Sequence, residues 1–293
     1  MKYSDMLHPV SSAFCFLSVL TVTMFVQNPL FRIPALLGGI AFYLCLDGKN
    51  GLRRNVAGDL ILFFLVAVTN PLFVHNGVTP LFFLNGNAVT LEAVLCGADI
   101  SVMLLSAVFW FRCVNIVMTS DKLLYLFGKL SPRVSVLLSS ALRFVPLFKE
   151  QANKIRTAQK ALGLYASDGI IDRIRASCRT YSALISWALE NSVDTGASMK
   201  GRGYELRERT LYSSYKIKTT DAAVISVTAV SDVITAAAAL RGSLGFSFYP
   251  RITELQTDTT VIAAATAFCV IAFLPFILEA KEAVLWRYYR SKI

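Results

Sequence analysis

The sequence predicts an all-α, polytopic membrane protein with about six transmembrane helices and with long amphipathic cytoplasmic helices between the fourth and the fifth. Hydrophobic residues make up 55% of the 293 residues and charged residues 16%, and the mean hydropathy is +0.56. A soluble core does not need so much apolar sequence. The net charge of +10 comes from Lys and Arg that collect between the apolar stretches. This pattern favours a membrane surface and acidic protein partners, and we expect no nucleic-acid partner.

Six apolar stretches can be membrane spans, because a transmembrane helix needs roughly 20 mostly apolar residues. The second stretch is the shortest and contains Gly38-Gly39, from which we expect close packing against a neighbouring helix. The first stretch has no clear cleavage site after it, so we expect it to be retained as a span. The six stretches are residues 10–26, 33–46, 56–74, 89–111, 222–240 and 260–278.

The distribution of Lys and Arg predicts which ends of the spans face the cytoplasm. Eighteen of the 29 lie in residues 112–218, and with the N-terminus inside only three, Arg32 among them, fall outside. Since cytoplasmic segments carry the excess of positive charge, we expect a multi-pass protein of the cell membrane with both termini in the cytoplasm. The chain then divides into a four-span membrane domain (1–111), a cytoplasmic coupling-helix domain (112–218), and a two-span hairpin with a cytoplasmic tail (219–293).

The central block, residues 112–218, predicts long amphipathic helices and not further spans. Residues 134–148 contain Arg143, and an arginine at the bilayer centre costs roughly 2.5 to 3.5 kcal/mol even on an insertion scale. The apolar residues of this run recur at i, i+3 and i+4, which predicts a helix that lies under the membrane or against a partner. Its apolar face includes Leu137, Leu138, Ala141 and Leu142.

Glycines interrupt this block, and two of them, Gly201 and Gly203, flank an arginine. Both can adopt the positive φ that ends a helix, so Arg202 is expected to project from a helix end, where another protein can reach it. The alternative for Arg202 is a C-terminal residue that complements the helix dipole. Pro146 and Gly163 are expected to interrupt the first part of the block.

Asp99 in the fourth predicted span and Asp232 in the fifth are acidic residues within the membrane. A carboxyl group inside a membrane is costly and needs a partner. One interpretation is hydrogen bonding between helices, and the other is a path for protons or cations. The sequence has no GxxxxGK[ST] phosphate-binding loop and no catalytic cluster, so we expect no enzymatic activity, no cofactor and no metal site.

Five short segments form a series along most of the chain. In sequence order they are Asn70-Pro71-Leu72-Phe73, Ser120-Asp121-Lys122, Leu142-Arg143-Phe144-Val145-Pro146, Ala158-Gln159-Lys160-Ala161-Leu162-Gly163 and Ser198-Met199-Lys200-Gly201-Arg202-Gly203-Tyr204. In their order and spacing they resemble the transmembrane component, or T component, of the energy-coupling factor transporters.

This resemblance implies two cytoplasmic coupling helices, each ending in a short motif that docks on one of two ATP-binding subunits, identical or paralogous. The second motif corresponds to Gly201-Arg202-Gly203, with Arg202 as the docking residue and Lys200 beside it. The first corresponds to Ala161-Leu162-Gly163, where a leucine takes the place of the arginine. Arg156 or Lys160, on the helical turns before it, could supply the missing charge.

The resemblance also implies a function, namely a non-catalytic subunit of an ATP-driven transporter that takes up a micronutrient, either a vitamin or a transition-metal ion. Its other partners would be membrane lipid and a substrate-binding membrane subunit, which would contact the apolar face that begins at Leu137. The competing interpretation is a self-sufficient secondary transporter that uses Asp99 and Asp232 as a proton relay.

Overall fold

The structure, a computed structural model, describes residues 7–84, 87–164, 169–204, 215–253 and 258–290. Within these ranges the chain forms nine helices and a two-stranded hairpin. In chain order the elements are α1 (Pro9–Phe25), α2 (Pro29–Gly48), α3 (Asn50–Phe73), β1 (Pro80–Leu84), β2 (Asn87–Thr90), α4 (Leu91–Val117), α5 (Ser120–Leu130), α6 (Pro132–Ala161), α7 (Ile170–Gly201), α8 (Thr219–Leu240) and α9 (Thr259–Arg290).

The chain divides into two compact units. The first, which we call the membrane unit, consists of Met1–Leu123 and Tyr215–Ile293. The second, which we call the coupling unit, is Leu124–Ser214. The first four predicted spans and the last two therefore share one compact unit.

All six predicted spans are helical. Five helices, α2, α3, α4, α8 and α9, have 20 to 32 residues and are apolar enough to cross a membrane. The helix α1 is apolar but has 17 residues, which is the short end of the range for a transmembrane helix. The predicted polytopic, nearly all-α fold is confirmed. Several helices are longer than the predicted spans, and the largest extensions at a C-terminal end are those of α4, as far as Val117, and α9, as far as Arg290.

A kink, and not a loop, joins α2 to α3. The helical stretch Pro29–Phe73 has one residue with non-helical angles, Gly48, whose φ of 71° lies in the region that glycine adopts without strain. The stretch begins at Asn28, whose side chain accepts a hydrogen bond from the N–H of Leu30 at 3.1 Å. This is the bond of an N-cap residue, and it satisfies one of the free donors at the helix start.

Aromatic side chains of α1, α2 and α4 form the centre of the membrane unit. The rings of Phe16, Phe42 and Trp110 contact one another, with centroids 6.0 to 6.3 Å apart. Trp110 Nε1 donates a hydrogen bond to the carbonyl oxygen of Ala35 at 2.9 Å. A buried indole needs such a partner, so this bond fixes α4 against α2.

The backbone of α2 lies directly against its neighbours at the glycine pair, as the sequence predicts. A Cβ atom on Gly38 would lie 2.6 Å from the carbonyl oxygen of Ala272 in α9, and one on Gly39 would lie 3.1 Å from Trp110 Nε1. A Cβ atom essentially never comes within 3.0 Å of another heavy atom. The absence of a side chain at Gly38 therefore sets the spacing between α2 and α9.

An antiparallel hairpin precedes α4, in the segment that leads into the fourth predicted span. Its strands β1 and β2 pair with Phe82 opposite Val89. The predicted start of the fourth span at Val89 is wrong, because Val89 and Thr90 belong to β2 and the helix begins at Leu91. Thr90 Oγ1 accepts a hydrogen bond from the N–H of Ala93 at 3.3 Å, which places the helix start at this residue.

Helices α6 and α7 form an antiparallel pair in the coupling unit. Thr180 Oγ1 donates a hydrogen bond to Gln159 Oε1 at 3.0 Å. The ring of Phe148 packs edge-on against Trp187, with centroids 5.8 Å apart. From the first contact to the second, the residue number falls along α6, from 159 to 148, and rises along α7, from 180 to 187. The two helices therefore run in opposite directions.

The helix α6 continues through Pro146, where the sequence analysis expected an interruption. It extends from Pro132 to Ala161. The proline removes one backbone donor from the helix. Phe144 and Phe148 stack across it with ring centroids 5.8 Å apart, and this contact joins the turns on either side of the proline.

Candidate docking site at the two helix ends

The end of α6 presents one side chain outward from the helix. Gly163 has a φ of 73°, and its N–H donates to the carbonyl oxygen of Lys160 at 3.0 Å. The N–H of Leu164 donates to the carbonyl oxygen of Gln159 at 3.1 Å. These two bonds define a Schellman motif, which satisfies the last carbonyl groups of a helix. Leu162 is the C-cap residue, and its side chain is 75% exposed.

The end of α7 has the same hydrogen-bonding pattern. Gly203 has a φ of 77°, and its N–H donates to the carbonyl oxygen of Lys200 at 3.0 Å. The N–H of Tyr204 donates to the carbonyl oxygen of Met199 at 3.1 Å. Here the exposed C-cap residue is Arg202. The second helix end is therefore also a Schellman motif.

Leu162 and Arg202 thus occupy equivalent backbone positions. Their N–H groups donate to Ala158 and Ser198 respectively, each at 3.1 Å, and a glycine of positive φ follows each of them. Gly201, for which a positive φ was also expected, is instead the last helical residue. The correspondence between the two segments holds in backbone geometry, and their role in docking stays a prediction.

Cationic side chains surround the first helix end. Arg156 and Lys160 are exposed and lie one turn apart, and among the residues that the structure describes no carboxylate lies within 4.0 Å of either. Lys154 differs, because its Nζ is 2.7 Å from Glu150 Oε1. The hydrogen bond from Lys154 holds the pKa of the Glu150 carboxyl below its ordinary value. Arg156 and Lys160 therefore remain open to an acidic partner.

The apolar face predicted on α6 is largely open. Leu137 is 69% exposed and Leu142 is 40% exposed. Ala141 is also exposed, and Leu138 is half-buried. Exposed leucines in a row on one helix are typical of a surface that contacts lipid or another protein.

A groove of about 670 Å³ separates α6 from the end of α7. Hydroxyl and aromatic side chains line it together with three charged residues, Arg143, Asp194 and Arg202. Arg143 was not among the predicted docking residues. Arg143 lines the α6 side of this groove and Arg202 lines the α7 side, and they share the groove because the helices pair in antiparallel orientation, which the sequence does not reveal. The groove carries two positive charges for one negative charge.

Both predicted intramembrane acids contact another helix. Asp99 in α4 forms an ion pair with Arg32 in α2, and both side chains are buried. Asp232 in α8 accepts a hydrogen bond from Ser18 Oγ of α1 at 2.5 Å. Arg32, which the charge count placed outside the membrane, is therefore a buried side chain of the helix bundle. These contacts agree with interhelical bonding, and a proton path through the two acids stays an untested alternative.

A second ion pair, between Asp59 and Arg112, was missed by sequence reasoning. Arg112 donates two parallel hydrogen bonds, Nη1 to Asp59 Oδ2 at 2.8 Å and Nη2 to Asp59 Oδ1 at 2.6 Å. Asp59 lies inside the third predicted span, so it could have been noticed. Its partner could not, because Arg112 had been assigned to the cytoplasmic block. Within the described ranges, no three His, Cys, Asp or Glu side chains group so as to hold a metal ion.

The family follows from comparison with known proteins. A family model described as "Cobalt transport protein" (CbiQ) matches residues 5–212, which is more than half of the chain. The chain belongs to this family. The match covers α1 to α7, and so includes both helix ends that carry Leu162 and Arg202.

Individual relatives are transmembrane proteins of energy-coupling factor transporters. The chain is 27% identical over 104 residues to EcfT of Limosilactobacillus fermentum, which covers 35% of this chain and 39% of the relative. It is 35% identical over 81 residues to EcfT of Leuconostoc gelidum, with coverages of 27% and 30%. It is 35% identical over 94 residues to EcfT of Exiguobacterium sibiricum, with coverages of 31% and 36%.

These matches confirm the resemblance to the T component. The chain is a multi-pass membrane component of the energy-coupling factor transporter class. The matched segments span about a third of the length of these relatives.

Proposed function

We propose that this chain is the non-catalytic coupling subunit of an ATP-driven transporter that takes up a micronutrient, either a vitamin or a transition-metal ion. It would carry conformational changes of two ATP-binding subunits, identical or paralogous, to a substrate-binding membrane subunit. The observation that supports this most is the pair of equivalent helix ends, each presenting one C-cap side chain, Leu162 or Arg202, outward from a closed backbone motif.

The helix ends suit docking because part of their backbone is already paired within the chain. The Schellman bonds use two of the last carbonyl groups at each end, so fewer of them have to lose water when the exposed side chain enters a groove of a partner. Arg202 can bind a carboxylate through two parallel hydrogen bonds, whereas Leu162 offers apolar contact with Arg156 and Lys160 nearby. Lys200 and Tyr204 flank Arg202 in the same contact.

The open face of α6 suits the contact with a membrane subunit. Leu137 and Leu142 expose apolar surface that water solvates poorly, and burying it against apolar residues of a partner would stabilise the complex by roughly 25 cal/mol per Å². Leu138 and Ala141 would extend this contact. We place the coupling unit and both termini on the cytoplasmic side of the cell membrane, because the positive charge collects there.

Reconstitution tests the proposal. Proteoliposomes that contain this chain, the substrate-binding membrane subunit and the ATP-binding subunits are expected to accumulate substrate only when ATP is supplied on the side of the ATPases. Proteoliposomes with this chain alone serve as the control, and a pH gradient is applied to them. Uptake by the chain alone under that gradient would overturn the proposal in favour of a secondary transporter.

The paired state of the acids weighs against the secondary transporter. Asp99 is held by Arg32, and a relay through it would have to break a buried ion pair at every turnover. Replacing Asp99 also leaves the arginine buried without its partner, so loss of activity in Asp99→Asn would not by itself identify a relay. Asp232→Asn is the cleaner test, because its partner is the neutral hydroxyl of Ser18.

A further inference from the structure

Two aspartates on α8 face α1, and their surroundings differ. Asp221 is 1% exposed and accepts hydrogen bonds from the N–H of His8 at 2.9 Å, from Ser11 Oγ at 3.0 Å and from the N–H of Lys218 at 2.9 Å. Its carboxylate is closed off on all sides by this chain. Asp232 is half-buried, and Ser18 Oγ is the donor that reaches it from the described residues.

Helices α1 and α8 run parallel, and Asp232 contacts Ser18 at a point away from the ends of both helices. His8 and Ser11 contact Asp221, and Ser18 contacts Asp232 further along in the same direction. At about 1.5 Å per residue, Asp232 is about 20 Å from Thr219 and about 12 Å from Leu240. These distances place the carboxyl group of Asp232 inside a hydrocarbon layer of about 30 Å.

Asp232 lies in a groove of about 420 Å³ between the two helices. Polar and small side chains, Ser18, Thr21, Asp232, Thr235, Ala236 and Ala239, line part of it. The groove also includes Leu17 and Phe25, which are 65% and 82% exposed, so it opens on the outer surface of the helix bundle. Its α1 wall extends from Phe14 to Val26, which is about 18 Å of helix.

Lipid is a poor occupant for this groove. An acyl chain has no hydrogen-bond donor, and a carboxylate left against hydrocarbon is costly. A helix offers side-chain donors and has no free backbone groups of its own. The small residues Ala236 and Ala239 allow a second backbone to approach closely.

We infer that the groove between α1 and α8 receives a transmembrane helix of the substrate-binding membrane subunit, which places an N–H or O–H donor on Asp232. The inference rests on the proposed function, because that function supplies the membrane subunit. It adds a contact inside the bilayer to the cytoplasmic one on α6, so the partner is held on two units of the chain.

Site-specific photocrosslinking tests this contact. The chain, its ATP-binding subunits and the substrate-binding membrane subunit are coexpressed with benzoylphenylalanine at Leu17, beside Asp232. The matched control carries it at Ile61 on α3, which is 66% exposed against 65% for Leu17. We expect the Leu17 probe to crosslink to the membrane subunit and the Ile61 probe to give lipid adducts.

Two variants separate the groove from the fold. Asp232→Leu removes the acceptor, and the membrane subunit should be retained about three- to twentyfold less, as measured for hydrogen bonds between transmembrane helices. Ala236→Phe fills the groove and leaves the Asp232–Ser18 bond in place, so it should abolish the Leu17 crosslink. Both variants should still retain the ATP-binding subunits.

The outcomes distinguish this inference from the proposed function. An assembled and active complex whose Leu17 probe reacts only with lipid, or with a second copy of this chain, overturns the inference and leaves the function standing. A complex that never contains ATP-binding subunits overturns both.

Discussion

Replacing Arg202 by alanine tests the docking assignment with little effect on the fold. The backbone N–H of residue 202 still donates to the carbonyl oxygen of Ser198, and Gly203 still supplies the positive φ. The side chain is exposed, so its loss removes no core packing. What the folded chain loses is the favourable interaction of the guanidinium with the helix dipole, which is about 0.3 to 1 kcal/mol.

The cost at the interface is expected to be much larger. Truncating one partner of a buried, hydrogen-bonded charge pair costs about 2 to 5 kcal/mol. At about 1.4 kcal/mol for each factor of ten, the affinity for the ATP-binding subunit at this helix end should fall about 30- to 4,000-fold. Leu162→Ala removes only apolar contact and should weaken binding by less, and by less again if Arg156 and Lys160 carry the charge there.

The measurement is retention of the ATP-binding subunits on the affinity-purified variants, together with substrate uptake in cells. The melting temperature in detergent serves as the control for folding and should stay within a few degrees of the unmodified chain for both variants. Arg202→Lys adds a finer test, because it keeps the charge but loses the bidentate geometry, and should give an intermediate loss. Full uptake in Arg202→Ala combined with release of the ATPases by Leu162→Ala would refute the assignment of the docking arginine.

Three further predictions concern the fold and the coupling unit. Gly38→Ala should lower stability by about 1 to 3 kcal/mol in a detergent melt, because the backbone of α9 occupies the space, whereas Gly58→Ala, with nothing within 4 Å, should be neutral or stabilising. Asp99→Leu should lower the free energy of unfolding by about 3 to 5 kcal/mol, because it leaves Arg32 buried without its partner. Adding Arg32→Met should restore most of this stability. A double variant no more stable than Asp99→Leu alone would contradict the prediction. Trp187→Ala removes the ring contact between Phe148 and Trp187, and should leave ATPase retention intact but reduce substrate uptake. Unchanged uptake would show that this contact does not transmit movement between α6 and α7.

The membrane helices could be predicted from hydropathy, because each of them is a long apolar stretch that can be recognised in the sequence. Residues 222–240 and 260–278 are long and nearly free of charge, and helices were found at both. The turn between the second and third spans was harder, since Asp47-Gly48-Lys49 is typical of a loop, whereas the positive φ of Gly48 allows a kink between two helices. The hairpin before α4 could have been predicted from Asn85-Gly86, because this dipeptide between apolar residues is typical of a two-residue hairpin connection.

The candidate site followed from the sequence only in part. The glycines predicted where α6 and α7 end, because positive φ at Gly163 and Gly203 is a local property. The ion pairs did not follow, because the partner of an acid is set by tertiary packing. Arg112 lies 53 residues after Asp59, and no pattern in the sequence indicates that these two residues pair. The groove that holds Asp232 likewise exists only once α1 and α8 are brought together.

Helices α6 and α7 are joined more closely at one of the two helix ends than at the other. Near Leu162, Gln159 accepts the hydrogen bond from Thr180, and Arg179 Nη2 donates to the carbonyl oxygen of Leu164 at 3.3 Å. Arg202, in contrast, faces α6 across the groove of about 670 Å³. A push on the Leu162 end would therefore pass directly to α7, whereas the Arg202 end has room to move before it meets α6.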